Sequence, residues 1–359
     1  MSDPPESHLS AYDYIKTLLK TGELATKYAG LIDIKEHPEG GLIILNYTEK
    51  CQFEGAWDEV TTRCRGLIFD TTHWELAALP FSKFFNLDER PESSIDALPA
   101  ESFAVHEKLD GSLGISYRRS GEIALATRGS FDSVQAIEGT KFLRAQAEFA
   151  NIPDDLTCLF EIVVNSSVVS RYDFQGLVLL SAFNRLTGQE LPWSEVTALA
   201  QKIACKTPTV YPFASLEQAI ASRAALPAKF EGYVIRFESG MRVKVKGSTY
   251  LALVKVAAGL TFDRILWAMA EGRIEEFRRD VPEEFLKDVD GVITDIHRQA
   301  AILGAAATAV FETAPQGSDR KAFSSWAQTV PINIRKSMFN MYEKRSYNWY
   351  KHMRTARTD

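Results

Sequence analysis

The chain has 359 residues, of which 45% are hydrophobic and 25% charged, with a net charge of −6; it has the composition of a globular protein with room for about two domains and a substantial core. The acidic balance excludes an overall pull toward nucleic acid, so any polyanion site must be a local patch. No run of about 18 apolar residues occurs, and Cys51, Cys64, Cys158 and Cys205 show neither Cys-x-x-Cys spacing nor nearby histidines, which argues against a membrane span and a zinc site.

Because the N-terminal residues lack a basic-then-apolar signal, a reducing, cytoplasmic location without a membrane anchor is expected. Tyr14, Ile15, Leu18, Leu19 and Leu24 recur at helical spacing and predict a helix over 11–29, on the outside of a sheet and ahead of the break at Gly40-Gly41. The pattern then turns to β-type runs at 42–47, 66–69, 103–107, 113–117 and 123–127, the last two joined by Arg119-Ser120-Gly121-Glu122. A helix over 134–149 intervenes before strands at 156–164 and 177–183 and a helix around 194–203.

From Glu231 to Lys246 the pattern reads as one hairpin with its tip at Ser239-Gly240. With a two-residue loop, Ile235 faces Lys244, Tyr233 faces Lys246, and Glu231 shares a face with both lysines; a three-residue loop would turn the lysines to the other face. Beyond Tyr250 the β signal stops. Helices are expected at 282–303, where Phe285, Val289, Ile293, Ile296, Ala300 and Leu303 follow helical spacing, and at 319–328 and 332–353. A boundary falls at 251–259, giving domains 1–250 and 251–359.

Within this order stands His106-Glu107-Lys108-Leu109-Asp110-Gly111-Ser112, a lone lysine at the end of a strand-like run. A lysine acts as a covalent nucleophile only when its amine is neutral, which demands desolvation or nearby cations and a pKa lowered by roughly 3 units. Arg65, Lys83, Lys244 and Lys246 are the candidate cations. Taken alone, the stretch reads equally well as a strand ending in an Asp-Gly turn.

Its company decides the reading. Lys108-Leu109-Asp110-Gly111-Ser112, Phe160-Glu161-Ile162-Val163, Glu231-Gly232-Tyr233-Val234 and Val243-Lys244-Val245-Lys246 resemble, in order and spacing, the motifs of the covalent nucleotidyltransferases, the superfamily of DNA ligases, RNA ligases and mRNA capping enzymes. Cys64-Arg65-Gly66-Leu67-Ile68-Phe69 and Phe81-Ser82-Lys83-Phe84-Phe85-Asn86 look like the ATP-dependent RNA ligase 1 family, whose bacteriophage member repairs broken tRNA. The similarity covers 42–250.

This resemblance implies an α+β fold: an antiparallel β-sheet nucleotidyltransferase domain, ATP-grasp-like, with flanking helices, then an all-helical C-terminal domain for the RNA. Lys108 would attack the α-phosphorus of ATP and carry AMP. Lys244 and Lys246 suit the α-phosphate, with Glu231 also in the catalytic set, and Arg65 and Lys83 the β- and γ-phosphates. Glu161 and Glu231 would hold Mg²⁺, for which Mn²⁺ could substitute, since these cations prefer oxygen ligands; Asp110 would assist a metal or the transfer of AMP. Glu107 offers the adenine a backbone contact, Phe85 and Tyr250 are stacking candidates, and Arg128 is a candidate for an RNA phosphate.

Bland readings stand beside these. Glu161 could be a buried ion-pair partner, His106 a packing residue, and Arg171 a surface residue instead of a basic site position. Phe339, Tyr342 and Trp349 read as core. The cations Lys336, Lys344, Arg345, Lys351, Arg354 and Arg357 form a basic tail that is either a solvated face or an RNA contact. The expected partner is single-stranded or nicked RNA with 5′-phosphate and 3′-hydroxyl ends, broken tRNA among them, bound by a monomer, in the host cytoplasm if phage-encoded. The alternatives are an inactive RNA-binding protein on a ligase fold, or a DNA ligase or capping enzyme; those enzymes normally continue in an OB-type barrel, where this chain continues in helices.

Overall fold

Alternating stretches such as Arg242–Lys246 and continuous apolar runs such as Leu156–Val163 build twelve strands among the described residues: β1 (Ile32–Glu36), β2 (Leu42–Tyr47), β3 (Arg65–Asp70), β4 (Glu75–Ala78), β5 (Phe103–Lys108), β6 (Ser112–Arg119), β7 (Glu122–Ala126), β8 (Leu156–Val163), β9 (Gly176–Asn184), β10 (Val210–Tyr211), β11 (Gly232–Phe237) and β12 (Arg242–Lys246). They form three antiparallel sheets in the orders β1-β2-β3-β4, β10-β5-β11-β12 and β7-β6-β8-β9. The computed structural model describes residues 9–164, 172–282, 285–315, 317 and 319–355; Arg171 and Arg357 lie outside them. The chain divides into two compact units, Met1–Val254 and Lys255–Asp359. No helix among the described residues is long and apolar enough to cross a membrane.

In the first unit, each sheet buries an apolar face. Ile44 and Ile68 pack with Ile115, Ala126 and Leu159 between the first and third sheets. Ile15 and Leu18 of the helix Ser10–Lys20 cover Leu45, Leu67 and Phe69 on the first sheet. In the second sheet, Val105, Ile235, Val243 and Val245 pack on Ala219 and Ile220 of the helix Leu216–Ser222. Each such aliphatic side chain contributes about 1.5–3 kcal/mol by leaving water. Since strand residues alternate between faces, this packing assigns the intervening His106, Lys108, Val234, Arg236, Arg242, Lys244 and Lys246 to the opposite face.

Three local expectations change. The first helix breaks at Gly22, whose φ of +74° ends one helix and opens the next, Glu23–Lys27. The helix expected over 332–353 is two, Ile332–Tyr342 and Trp349–Thr355, with Lys344 at φ +55° between them. The late hairpin has a three-residue loop: Arg236 faces Arg242, Val234 faces Lys244 and Gly232 faces Lys246, with the Phe237 N–H donating to Met241 O at 2.9 Å.

The second unit is helical, its longest helix running Leu286–Phe311. Ala307, Phe323, Ala327, Ile334 and Met338 form a core against which Phe339, Tyr342 and Trp349 pack. Several tail cations are paired within the unit: Arg345 with Glu343 at 3.0 Å, and Arg354 and Lys351 with Glu271 at 3.0 and 3.4 Å.

Candidate active site

Lys108 closes β5, where the register sets it opposite Gly232, which in turn faces Lys246. His106, Val234 and Lys244 form the next row back, and Ala104, Arg236 and Arg242 the one after. Three adjacent strands thus send their cations to one side of the sheet.

Glu231 precedes β11 and escapes its alternation through Gly232, whose φ is +146°. A Cβ on Gly232 would sit 2.1 Å from Val245 O and 2.7 Å from Lys246 Cα, so only glycine lets the chain turn here against β12. Only 5% exposed, Glu231 accepts from Lys108 Nζ at 2.7 Å and pairs with Lys246 Nζ at 3.3 Å.

Gly111 plays the same part in the turn after Lys108. A Cβ there would lie 2.6 Å from Ile162 O and 3.0 Å from Glu161 Cγ, so the Asp-Gly-Ser turn can lie directly on β8. Pairing of Leu113 with Glu161 then fixes Glu161 beside Lys108. Burial pushes the Glu161 carboxyl up to about 7, with Glu231 and Asp110 adding to the rise and Lys108 and Arg65 opposing it. The Asp110 N–H donates to the Tyr172 hydroxyl at 2.8 Å.

A cavity of about 240 Å³ opens over these residues. Arg65, Lys108, Lys244 and Lys246 supply its cations, Glu107 and Glu161 its acids near Lys108, and Leu180, Leu191, Trp193 and Val234 an apolar wall. At the far end Glu190 holds two guanidiniums, that of Arg236 at 3.4 Å and that of Arg242 in close contact, and also accepts from the Ser181 hydroxyl. Burial alone would raise the Glu190 carboxyl, but the Arg242 guanidinium and the other donors hold it below the usual carboxylate value.

The Phe81–Asn86 segment reaches the site by adding to β12: the Lys244 N–H donates to Phe85 O at 3.0 Å, and Lys244 O accepts from the Leu87 N–H at 2.8 Å. Lys83 and Phe85 line an adjoining cleft, not this cavity. Lys83, 6% exposed, lies 5.2–5.6 Å from the ring centroids of Phe85, Trp57 and Tyr47, each contact a cation–π attraction. Arg128 stands over the Tyr47 ring at 4.9 Å and donates to its hydroxyl at 2.8 Å. Tyr250 is buried in the helix Ser248–Ala257 and does not line the cavity. The Glu107 N–H donates to Thr209 O at 2.7 Å, so that donor is spent in the sheet.

Arg65, Glu107, Lys108, Glu161, Lys244 and Lys246 therefore line one cavity, with Glu231 joined to it through Lys108 and Lys246, whereas Lys83, Phe85, Arg128 and Tyr250 do not line it. Sequence reasoning did not assign Glu190, Trp193, Arg236 or Arg242 to the site. Arg236 and Arg242 continue the alternation of Lys244 and Lys246, a signal that could have found them; Glu190 and Trp193 stand in no motif. Among the described residues no group of three or more His, Cys, Asp or Glu side chains is gathered that could hold a metal.

The profile of the family described as RNA ligase matches residues 63–255, the stretch that supplies every one of these cavity residues. The chain belongs to the RNA ligase family. It is 29% identical over 251 residues to a protein of Autographa californica nuclear polyhedrosis virus that carries the name bifunctional polynucleotide kinase/RNA ligase, a match covering 62% of this chain and 35% of the viral protein. A Thermovibrio ammonificans protein that carries the name RNA ligase is 29% identical over 133 residues, 35% of each chain. The match thus spans about a third of the length of these curated family relatives. The fold is similar to that of an archaeal ATP-dependent RNA ligase, with a TM-score of 0.51 and 16% identity over 96% of this chain and 100% of that one.

Proposed function

We propose that this chain is an ATP-dependent RNA ligase that joins 5′-phosphate and 3′-hydroxyl RNA ends through a lysyl-AMP enzyme and an adenylylated RNA. The observation that carries the reading is the row Lys108, Gly232, Lys246 with Glu231 folded back onto both lysines, beside a cavity that Arg65 and Lys244 also line.

In the first step the Lys108 Nζ forms a bond to the α-phosphorus of ATP as the bond to the bridging oxygen breaks and pyrophosphate leaves. Glu231, 2.7 Å from Nζ, is the nearest acceptor for the proton that Nζ gives up. Lys244, Lys246 and Arg65 face the charge that spreads over the phosphoryl oxygens, and such placed charges supply most of the catalysis in phosphoryl transfer; Lys83 in the adjoining cleft is assigned to the outer phosphates. Next, an oxygen of the RNA 5′-phosphate attacks the same phosphorus and the P–N bond breaks, returning the lysine. Finally the 3′-hydroxyl attacks the activated 5′-phosphorus and AMP departs.

The donor set suits a divalent cation. Burial raises the Glu161 carboxyl, and the charges of Glu231 and Asp110 add to the rise, a penalty on the charged form that a cation relieves. Mg²⁺ needs no larger protein cage, because it keeps waters and takes phosphate oxygens. When bound, Mg²⁺ or Mn²⁺ would neutralise phosphate charge there. Arg128 is assigned to an RNA phosphate and the helical region from 251 to RNA selection; the substrate is single-stranded or nicked RNA, cleaved tRNA in particular, joined by a monomer in the cytoplasm.

Intact-mass measurement after incubation with ATP and Mg²⁺ tests the reading. An added AMP on the wild type, absent with Lys108→Ala or GTP and removed by pyrophosphate or 5′-phosphorylated RNA, is the expected result. No adduct on protein first cleared with pyrophosphate would leave an RNA-binding protein on a ligase fold. Cleaved tRNA joined no faster than unstructured RNA of equal length would remove the tRNA assignment.

A further inference from the structure

His106 lies on β5 two residues before Lys108 and on the same face, which separates the two side chains by roughly 7 Å along the strand. The ring is 7% exposed, lines the cavity and meets the Trp193 ring edge-on at 4.4 Å between centroids. Its Nε2 is buried and makes no hydrogen bond. Folded proteins rarely leave such an atom unpaired, because it has lost water and gained nothing in return. The charged groups that act on the ring are Arg242, Arg236 and Glu190; burial first, then the two guanidiniums, push its pKa down to about 4. The imidazole is therefore neutral at pH 7, with one nitrogen a donor and the other an acceptor.

The cavity changes character along β5. Arg65, Lys108 and Lys246 stand at one end, while around His106 an apolar wall of Val234, its cross-strand neighbour, with Leu180, Leu191 and Trp193 adjoins Lys244, and the guanidiniums of Arg236 and Arg242 beyond it are held by Glu190. A nucleotide has the same polarity: a phosphate end that needs cations, and a flat base whose faces are apolar and whose edge is polar.

Resting on the ligase reading above, we propose that His106 is the specificity residue for the nucleobase, its Nε2 hydrogen-bonding the base edge between the apolar walls. A base that lacks the matching group leaves Nε2 buried and unpaired, and that loss gives the discrimination.

The test uses the full chain as wild type, His106→Leu and His106→Gln, with ATP, the purine riboside triphosphate that lacks the 6-amino group, 1-deaza-ATP and 7-deaza-ATP. Both equilibrium binding and the rate of lysyl adduct formation are measured. Wild type should lose about ten- to a hundredfold with at least one analogue relative to ATP. His106→Leu should lose about as much with ATP itself and treat ATP and the analogues alike, and His106→Gln, which keeps a polar group, should recover part of the preference. Equal penalties for every analogue in wild type and His106→Leu would overturn the proposal; if the leucine variant does not fold, an unchanged analogue pattern in His106→Gln together with no analogue penalty in wild type does the same. A wild type that forms no adduct fails the ligase reading, while the binding series still decides the role of His106.

Discussion

Lys108 and Glu231 meet at 2.7 Å although Glu231 lies just outside the strand that pairs with β5. The contact exists because the chain turns at Gly232, and through it one carboxylate restrains two ammonium groups, those of Lys108 and Lys246. Two of the charges most important to the site are thus set by a backbone feature.

Removing that carboxylate takes the 2.7 Å partner from Lys108 and one partner from Lys246. Glu231→Ala should destabilise the first unit by about 3 kcal/mol in urea unfolding, the usual scale for breaking a buried pair from one side. Lys246→Met should cost less, since Lys108 remains to pair. In the double variant Glu231→Ala/Lys108→Met, part of the loss should return, because one unpaired charge is gone. Strict additivity of the single changes would mean that the pair is not coupled.

Gly232→Ala tests the backbone. The new methyl group would meet Val245 O at 2.1 Å, in a conformation with φ +146° that side chains rarely adopt. A loss of about 3 kcal/mol or more is expected, with lysyl adduct formation falling further than stability explains because Glu231 is displaced. Unchanged unfolding and adduct rates would show that the strand pair can part without cost.

How much of this was legible in the sequence follows from what each residue needs. The lysine pair sits in a strand whose apolar residues alternate, so its face follows from Val243 and Val245; Glu161 interrupts an apolar strand buried on both faces and was legible from its motif alone. The hairpin register did not follow. It depends on a loop closed by the Phe237 N–H to Met241 O bond, with Gly240 at φ +88°, and a one-residue slip reverses every side chain. The slip did not separate Glu231 from the lysines, because Gly232 turns the chain back toward them. Strand β1, exposed along most of its length at the edge of its sheet, offers only the short alternation Ile32-Asp33-Ile34-Lys35. Glu190 and Trp193 reach the cavity only through the folding of the segment after β9.

Glu190 offers a third prediction. It holds Arg236 and Arg242, both on the cavity face, and the Ser181 hydroxyl. Glu190→Ala should lower stability by about 3–5 kcal/mol, since two half-buried guanidiniums lose their counter-charge. Glu190→Gln keeps the shape and part of the hydrogen bonding and should cost less. Chemical denaturation of the two variants side by side checks the order; equal losses would assign the role to packing rather than charge.

His106 makes stability depend on pH in a defined window. In the unfolded chain an imidazole takes its proton near 6.5, whereas in the fold burial and the guanidiniums of Arg242 and Arg236 delay this to about 4. Between those values the unfolded state binds more protons, so stability falls as pH drops through the window and is fully present above it. In His106→Gln this part of the slope should vanish. Between pH 7 and pH 4.5 the wild type should therefore lose about 2–3 kcal/mol more than the variant, as read from urea midpoints at both pH values. Parallel losses in the two proteins would mean that His106 takes its proton in the folded state as readily as in the unfolded one, and that the neutral imidazole inferred for the cavity is wrong.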